Sequence, residues 1–277
     1  MIKIELLNAQ EEKITGKIDH EKEIGFLEAT GVEQAVLGIK NFSYSFGDKI
    51  RVTTEKKETY FVVQLEETLA LTLLYLPSTT WEYVVPLSEN LAKSAVDTAF
   101  HSRRHCIMVR KAHAFEVENY QNLSFNSHDQ KETTGAFPHV YANVETREDS
   151  VFFAKNAIDG KYANLSHGSY PFASWGINQQ SDAALTIDFG REVEIDCLRL
   201  LFRGDYPHDS FWTQVSVHFS NGETEIFKTT NSLEFQFFSF KPKRVTSITL
   251  TDLKKNKDDS PFPALVQIEV FGKNVKV

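Results

Sequence analysis

The chain has 277 residues, a formal net charge of −8, and lysines and arginines scattered along its length, which excludes the basic stripe a nucleic-acid-binding protein needs. At about 150 residues per domain the length suggests two domains, each large enough to bury a core without disulfides or metals. Phe occurs 22 times and Tyr 9 times against 2 Met, a usage that suits pleated strands better than helices.

The N-terminal segment MIKIELLNAQ has no basic region followed by an apolar core, so it does not read as a secretory signal. The first half then reads as short strands: 2–7, 33–39, 49–54, 59–65, 69–76, 81–87 and 105–111, rich in β-branched and aromatic residues and separated by turn residues. The apolar run LALTLLYL at 69–76 is far too short to span a bilayer. Together these features predict a cytoplasmic protein that does not bind a membrane. Residues 88–100, SENLAKSAVDTAF, open on a serine and carry helix formers, which predicts one short helix. A helical turn is expected in 112–120. His101 and His105 are four apart but lack the glutamate of a zinc-protease motif. The two cysteines, Cys106 and Cys197, are too few for a disulfide framework, and Cys197 reads as a buried free thiol.

A polar stretch at 121–150 marks the change of domain. This divides the chain into a smaller mainly-β N-terminal domain at 1–120, of unknown role, and an all-β domain at 121–277. In the second domain, Leu185, Ile187 and Phe189 alternate with Thr186 and Asp188. Leu198, Leu200 and Phe202 alternate in the same way with Arg199, Leu201 and Arg203. Val215, Val217 and Phe219 lead to Asn221–Gly222, the signature of a two-residue hairpin turn. Roughly eight short strands with turns between them predict a sandwich or jelly roll.

Four stretches carry a family likeness: NLSFN at 122–126, NAIDG at 156–160 followed by SW at 174–175, ALTIDFGREVEIDCLRLLFR at 184–203, and the closing QIEVFG. In that order they resemble the discoidin, or coagulation-factor type C, modules of the galactose-binding-like superfamily. The first 118 or so residues resemble no family. The resemblance implies a jelly-roll β-sandwich whose end loops hold a ligand, often a sugar, together with a frequent structural calcium ion. It also implies that Arg203 at a strand end, Asp209 or Ser210 a few positions later, His167 in an earlier loop and Phe262 before the last strand touch the ligand. For calcium it implies Asp159 and Asn164. Gln267 stands where a last-strand Glu is usual, so one carboxylate is missing. Trp175 is expected in the core.

The residues of 203–212, RGDYPHDSFW, point the same way on their own chemistry. Arg203 offers a planar fork of donors, Asp205 accepts from hydroxyl pairs, His208 and Asp209 add polar groups, and Trp212 would stack on the apolar face of a sugar. Pro207 would stiffen the loop. The bland alternative pairs Arg203 with Asp205 and His208 with Asp209 as salt bridges, with Trp212 in the core. No nucleophile elbow, phosphate loop, dinucleotide fingerprint or paired CxxC occurs in the sequence. The prediction is therefore a non-catalytic carbohydrate-binding protein, with no nucleic acid as partner. The N-terminal domain would be a scaffold, a second binding face or a homo-oligomer contact. Two alternatives stay open: an enzyme of carbohydrate metabolism, or a subunit of one, using Asp205, His208 and Asp209, and a protein–protein interaction module.

Overall fold

Among the described residues, the regular structure is β apart from two short helices and a few 3-10 turns. The computed structural model describes residues 1–17, 24–132 and 135–275. It divides into one unit of Met1–Glu116 with Glu132–Ala136 and a second of Val117–Lys131 with Phe137–Val277.

The first unit holds β1 (Ile2–Leu7), β2 (Thr15–Gly16), β3 (Gly25–Phe26), β4 (Glu28–Gly31), β5 (Gln34–Ile39), β6 (Lys49–Thr54), β7 (Thr59–Gln64), β8 (Thr72–Leu76), β9 (Thr80–Val84) and β10 (His105–Lys111). Strands β4-β1-β6-β9 make one four-stranded sheet and β5-β10-β7-β8 another. Alternation explains the packing: Ile2 and Ile4, Ile50 and Val52, Leu37 and Ile39, and Ile107 and Val109 turn into one shared core. The helix α1 (Glu89–Ala92) begins where Ser88 caps the Leu91 N–H at 3.2 Å, but spans one turn only. Ser94 bonds back to the Leu91 carbonyl, and successive turns carry the chain onward. A second turn, α2 (Ala114–Glu118), follows β10.

The second unit comprises β11 (Gln121–Asn122), β12 (His139–Ala142), β13 (Trp175–Gly176), β14 (Leu185–Phe202), β15 (Trp212–Phe219), β16 (Thr224–Lys228), β17 (Gln236–Lys255) and β18 (Ala264–Asn274). The sequence suggested short strands, but β14 and β17 run for 18 and 20 residues. Bulges let these strands turn a corner without ending. Residues 185–188 of β14 lie between β12 and 247–250 of β17, while its residues 193–200 lie between β18 and 236–245 of β17. Leu185, Ile187, Phe189, Val217 and Leu250 from one half pack with Leu198, Leu200, Ile268 and Val270 from the other, which makes the unit a β-sandwich.

Two local expectations change. Four residues, 220–223, separate β15 from β16, rather than two. Gly222, at φ +89°, takes the left-handed position, and its N–H reaches the Phe219 carbonyl at 2.9 Å. Cys197 is half-buried rather than buried because it follows the bulge between Ile195 and Cys197, and Cys106 is exposed.

Candidate functional site

Strands β14 and β18 lie side by side at the end of the sandwich where the predicted ligand loop begins. Leu198, Leu200 and Phe202 face the apolar core, as their alternation requires. The opposite face, carrying Arg199, Leu201 and Arg203, would be open to water if nothing lay on it. Instead the irregular segment 156–174 covers it and binds it through polar groups. Gln267 Nε2 bonds the Asn156 carbonyl at 2.6 Å, Tyr162 donates to Glu269 at 2.6 Å, and Arg203 Nη1 reaches Ser174 Oγ at 3.2 Å.

This cover decides the fate of the predicted loop residues. Arg203 is 2% exposed, with Nε 2.6 Å from Asp205 Oδ1 and Nη2 3.2 Å from Oδ2. Nη2 also reaches the Ser166 carbonyl at 3.1 Å. A buried guanidinium must have its charge met, and a bidentate carboxylate is the strongest available partner. Arg203 and Asp205 therefore satisfy each other, and neither stands open to the hydroxyls of a sugar, contrary to the sequence expectation. Trp212 is fully buried, edge-on to Phe202 at 5.3 Å and 6.4 Å from Trp175, which is itself in the core as predicted. It starts β15, whose inward side chains fill the sandwich, so it is no platform for a sugar. Asp209 is exposed but turned aside, with Ser260 Oγ 2.5 Å from its Oδ1. Ser210 is buried and donates to Asn256.

His167, His208 and Phe262 are brought together. Their loops border a hollow of about 280 Å³. Phe152, Ile177, Pro207, Phe262 and Pro263 supply its apolar wall, and Thr146, Arg147, Asn178, Gln179, His167 and His208 its polar rim. The two imidazoles stack with centroids 5.3 Å apart, and His208 lies 6.0 Å from Phe262 and 5.6 Å from Phe152. His208 Nδ1 is 2.9 Å from the Phe262 carbonyl, an acceptor only, so Nδ1 carries the proton. Burial, reinforced by the Arg203 charge, lowers the His208 pKa below the ordinary imidazole value and keeps the ring neutral. The 207–208 and 260–262 loops are tied together: the Pro207 carbonyl accepts the Phe262 N–H at 3.3 Å and lies 2.9 Å from Ser260 Oγ.

The sequence reading did not pick out the rim residues Arg147, Phe152, Asn178 and Gln179. Arg147, Asn178 and Gln179 are held at φ +57°, +49° and +58°, in the left-handed region that non-glycine residues seldom occupy. Thr146 Oγ1 fixes this arrangement by accepting the Asn178 N–H at 2.9 Å. The Arg147 guanidinium lies 5.4 Å from the Phe152 ring. Asn tolerates that conformation better than most residues, so the NQQ of 178–180 was the one signal available.

The residues expected to hold calcium do not fit the ion. Gln267 turns its amide nitrogen toward the Asn156 carbonyl and toward Asp159 Oδ1, 2.9 Å away, while its oxygen accepts the Gly160 N–H at 3.1 Å. An N–H donor thus occupies the place between two oxygens that a shared cation would bridge. The Lys161 ammonium, 2.7 Å from Asp159 Oδ2, supplies the positive charge. Asn164 is directed elsewhere, donating to the carbonyls of Phe202 and Leu233. Calcium requires six to eight oxygens, and these three side chains do not converge to offer them. His101 and His105 form no pair either: His101 Nδ1 contacts the Ala99 carbonyl, and His105 is buried 3.6 Å from Glu66.

No protein-family model and no curated protein matches the chain. Among solved structures, it is similar to chitosan-binding module 1 from a chitosanase/glucanase of Paenibacillus sp. IK-5, at 14% identity and TM-score 0.39, over 55% of this chain and 99% of that one. It is similar to the lectin domain of lectinolysin complexed with Lewis b antigen, at 16% identity and TM-score 0.42, over 57% and 99%. A family 32 CBM from C. perfringens NanJ in complex with galactose is similar at 17% identity and TM-score 0.37, over 48% and 91%. Likeness of this degree carries no ligand over to this chain.

Proposed function

We propose that the second unit binds a carbohydrate or sugar-like ligand in the hollow between 146–152, 176–179, 207–208 and 262–263, and does not transform it. The hollow carries this reading, because a sugar ring offers an apolar C–H face and a girdle of hydroxyls. Phe262, 36% exposed, and Phe152 match the first, while the His208, His167, Asn178, Gln179 and Arg147 groups match the second. Its volume suits one saccharide residue rather than a long chain. Of the two aromatic residues the sequence offers for stacking, Trp212 and Phe262, Phe262 takes that part. Affinity should fall in the range of about −4 to −8 kcal/mol, millimolar to micromolar.

Catalysis by the predicted acidic loop finds no support here. Among the described residues that line the hollow, none is Asp or Glu. Asp205 is engaged by Arg203 and Asp209 by Ser260. Glycoside hydrolysis by the common routes needs two carboxylates flanking the bond.

Titration calorimetry with galactose, Lewis b tetrasaccharide, GalNAc-β-1,3-galactose and chitosan oligomers tests the proposal. At least one should bind, and Phe262→Ala should weaken it by about threefold to tenfold, the value of one aromatic contact. Tyr206→Ala, an exposed aromatic outside the lining, should leave it unchanged. Absence of binding across the panel, or binding indifferent to Phe262→Ala, would overturn it.

A further inference from the structure

We propose that His167, Asp205 and His208 form a binding site for a divalent cation of the zinc class, with its open coordination position facing the hollow. This goes beyond the saccharide reading and does not rest on it. The three side chains each place one potential ligand atom within 4.8 Å of the others, the one such group of histidines, cysteines and carboxylates among the described residues. His167 Nδ1 and Asp205 Oδ2 are already 3.0 Å apart. That is near the separation of neighbouring ligand atoms around a tetrahedral zinc, where bonds of about 2.0–2.1 Å place them roughly 3.3 Å apart.

The groups behind these ligands are arranged as metal sites require. His208 donates from Nδ1 to the Phe262 carbonyl, which fixes the ring and leaves the lone pair on Nε2. Asp205 is gripped by Arg203 through Nε on Oδ1 at 2.6 Å and through a longer Nη2 contact on Oδ2 at 3.2 Å, and Oδ2 turns toward His167. His167 has 59% of its side chain exposed and is free to make the remaining approach. Two imidazoles and one carboxylate are a borderline donor set that selects zinc, nickel, cobalt or copper over calcium and magnesium, which want oxygen alone. Three protein ligands leave one position open, and because His167 and His208 both line the hollow, that position faces it. The buried Arg203 charge opposes the cation, so binding should be weaker than at a structural zinc site.

The test uses tag-free full-length protein stripped with EDTA and titrated calorimetrically with zinc chloride, with calcium chloride in parallel. One zinc per chain is expected, and no calcium through these residues. His167→Ala and His208→Gln should each weaken zinc binding more than tenfold, while His218→Ala, which removes another exposed histidine of the same unit, should not. Cobalt(II) bound at the site should give visible d–d absorption that His167→Ala abolishes. His208 is buried and its variant could misfold, but His167 is exposed, and far-ultraviolet circular dichroism should show its variant folded. Absence of zinc uptake by the wild type, uptake that survives the His167→Ala/His208→Gln double variant, or calcium uptake dependent on His167 would each overturn the assignment.

Discussion

Replacing Arg203 tests whether the predicted ligand loop is structural or open to ligand. In Arg203→Ala, Asp205 keeps a carboxylate that is almost fully buried, with the His167 and His208 rings near it but no guanidinium. The Ser166 carbonyl and Ser174 Oγ lose their guanidinium contacts as well. Breaking a buried ion pair from one side costs about 3–5 kcal/mol. For a unit of this size each kcal/mol corresponds to roughly 2–4 °C, so the transition should fall by about 6–20 °C. Removing both charges, in Arg203→Met/Asp205→Leu, should recover most of that loss, because no buried charge is left unpaired. Scanning calorimetry of wild type, single and double variants gives the answer. A single variant melting within about 2 °C of wild type, or a double variant as damaged as the single, would refute the reasoning.

Three other outcomes follow from the same structure. Trp212→Ala should cost about 3–5 kcal/mol by denaturant titration, while its folded fraction binds saccharide with wild-type affinity. Burial pushes the His128 pKa down to about 3, whereas the unfolded chain takes up the proton near 6.5. The unfolded state thus binds more protons below pH 6.5, and stability falls by up to about 1.4 kcal/mol per pH unit as pH drops toward 3. In a pH series, His128→Gln should lose that slope. Finally, calcium should not raise the melting temperature of the wild type. Gln267→Glu, which sets a second carboxylate against Asp159 and removes two N–H contacts, should melt lower than wild type by scanning calorimetry.

Much of the fold was legible because alternation is a direct consequence of the pleat. Ile2–Leu7, Lys49–Thr54 and His105–Lys111 form strands over the residues their patterns mark. The alternation of Leu198, Leu200 and Phe202 against Arg199 and Arg203 is also real. It could not show that 156–174 lies over the second face, since that cover has no periodicity and is held by single polar contacts distant in sequence. Hence alternation alone turns Arg203 outward, whereas the covering segment encloses it. The same gap explains Trp212, because indole suits a sugar platform and a sandwich core equally. His167 and Phe262 were traceable only through family likeness, and Arg147 and Gln179 through nothing but their backbone conformation.

The layer between β14–β18 and the segment covering them has a consequence of its own. One side of this sheet is sealed by hydrocarbon, the other by a row of paired polar groups: Arg203 with Asp205, Arg199 with Glu269 and Tyr162, Gln267 with Asp159. The two seals differ in strength, because hydrogen bonds exchanged with water return little net energy while apolar contact returns much. The weaker seal is the first to open, as a partial unfolding that leaves the sandwich standing. Since His167 comes from that covering segment, the hollow would lose this wall while the sandwich beneath it was still intact.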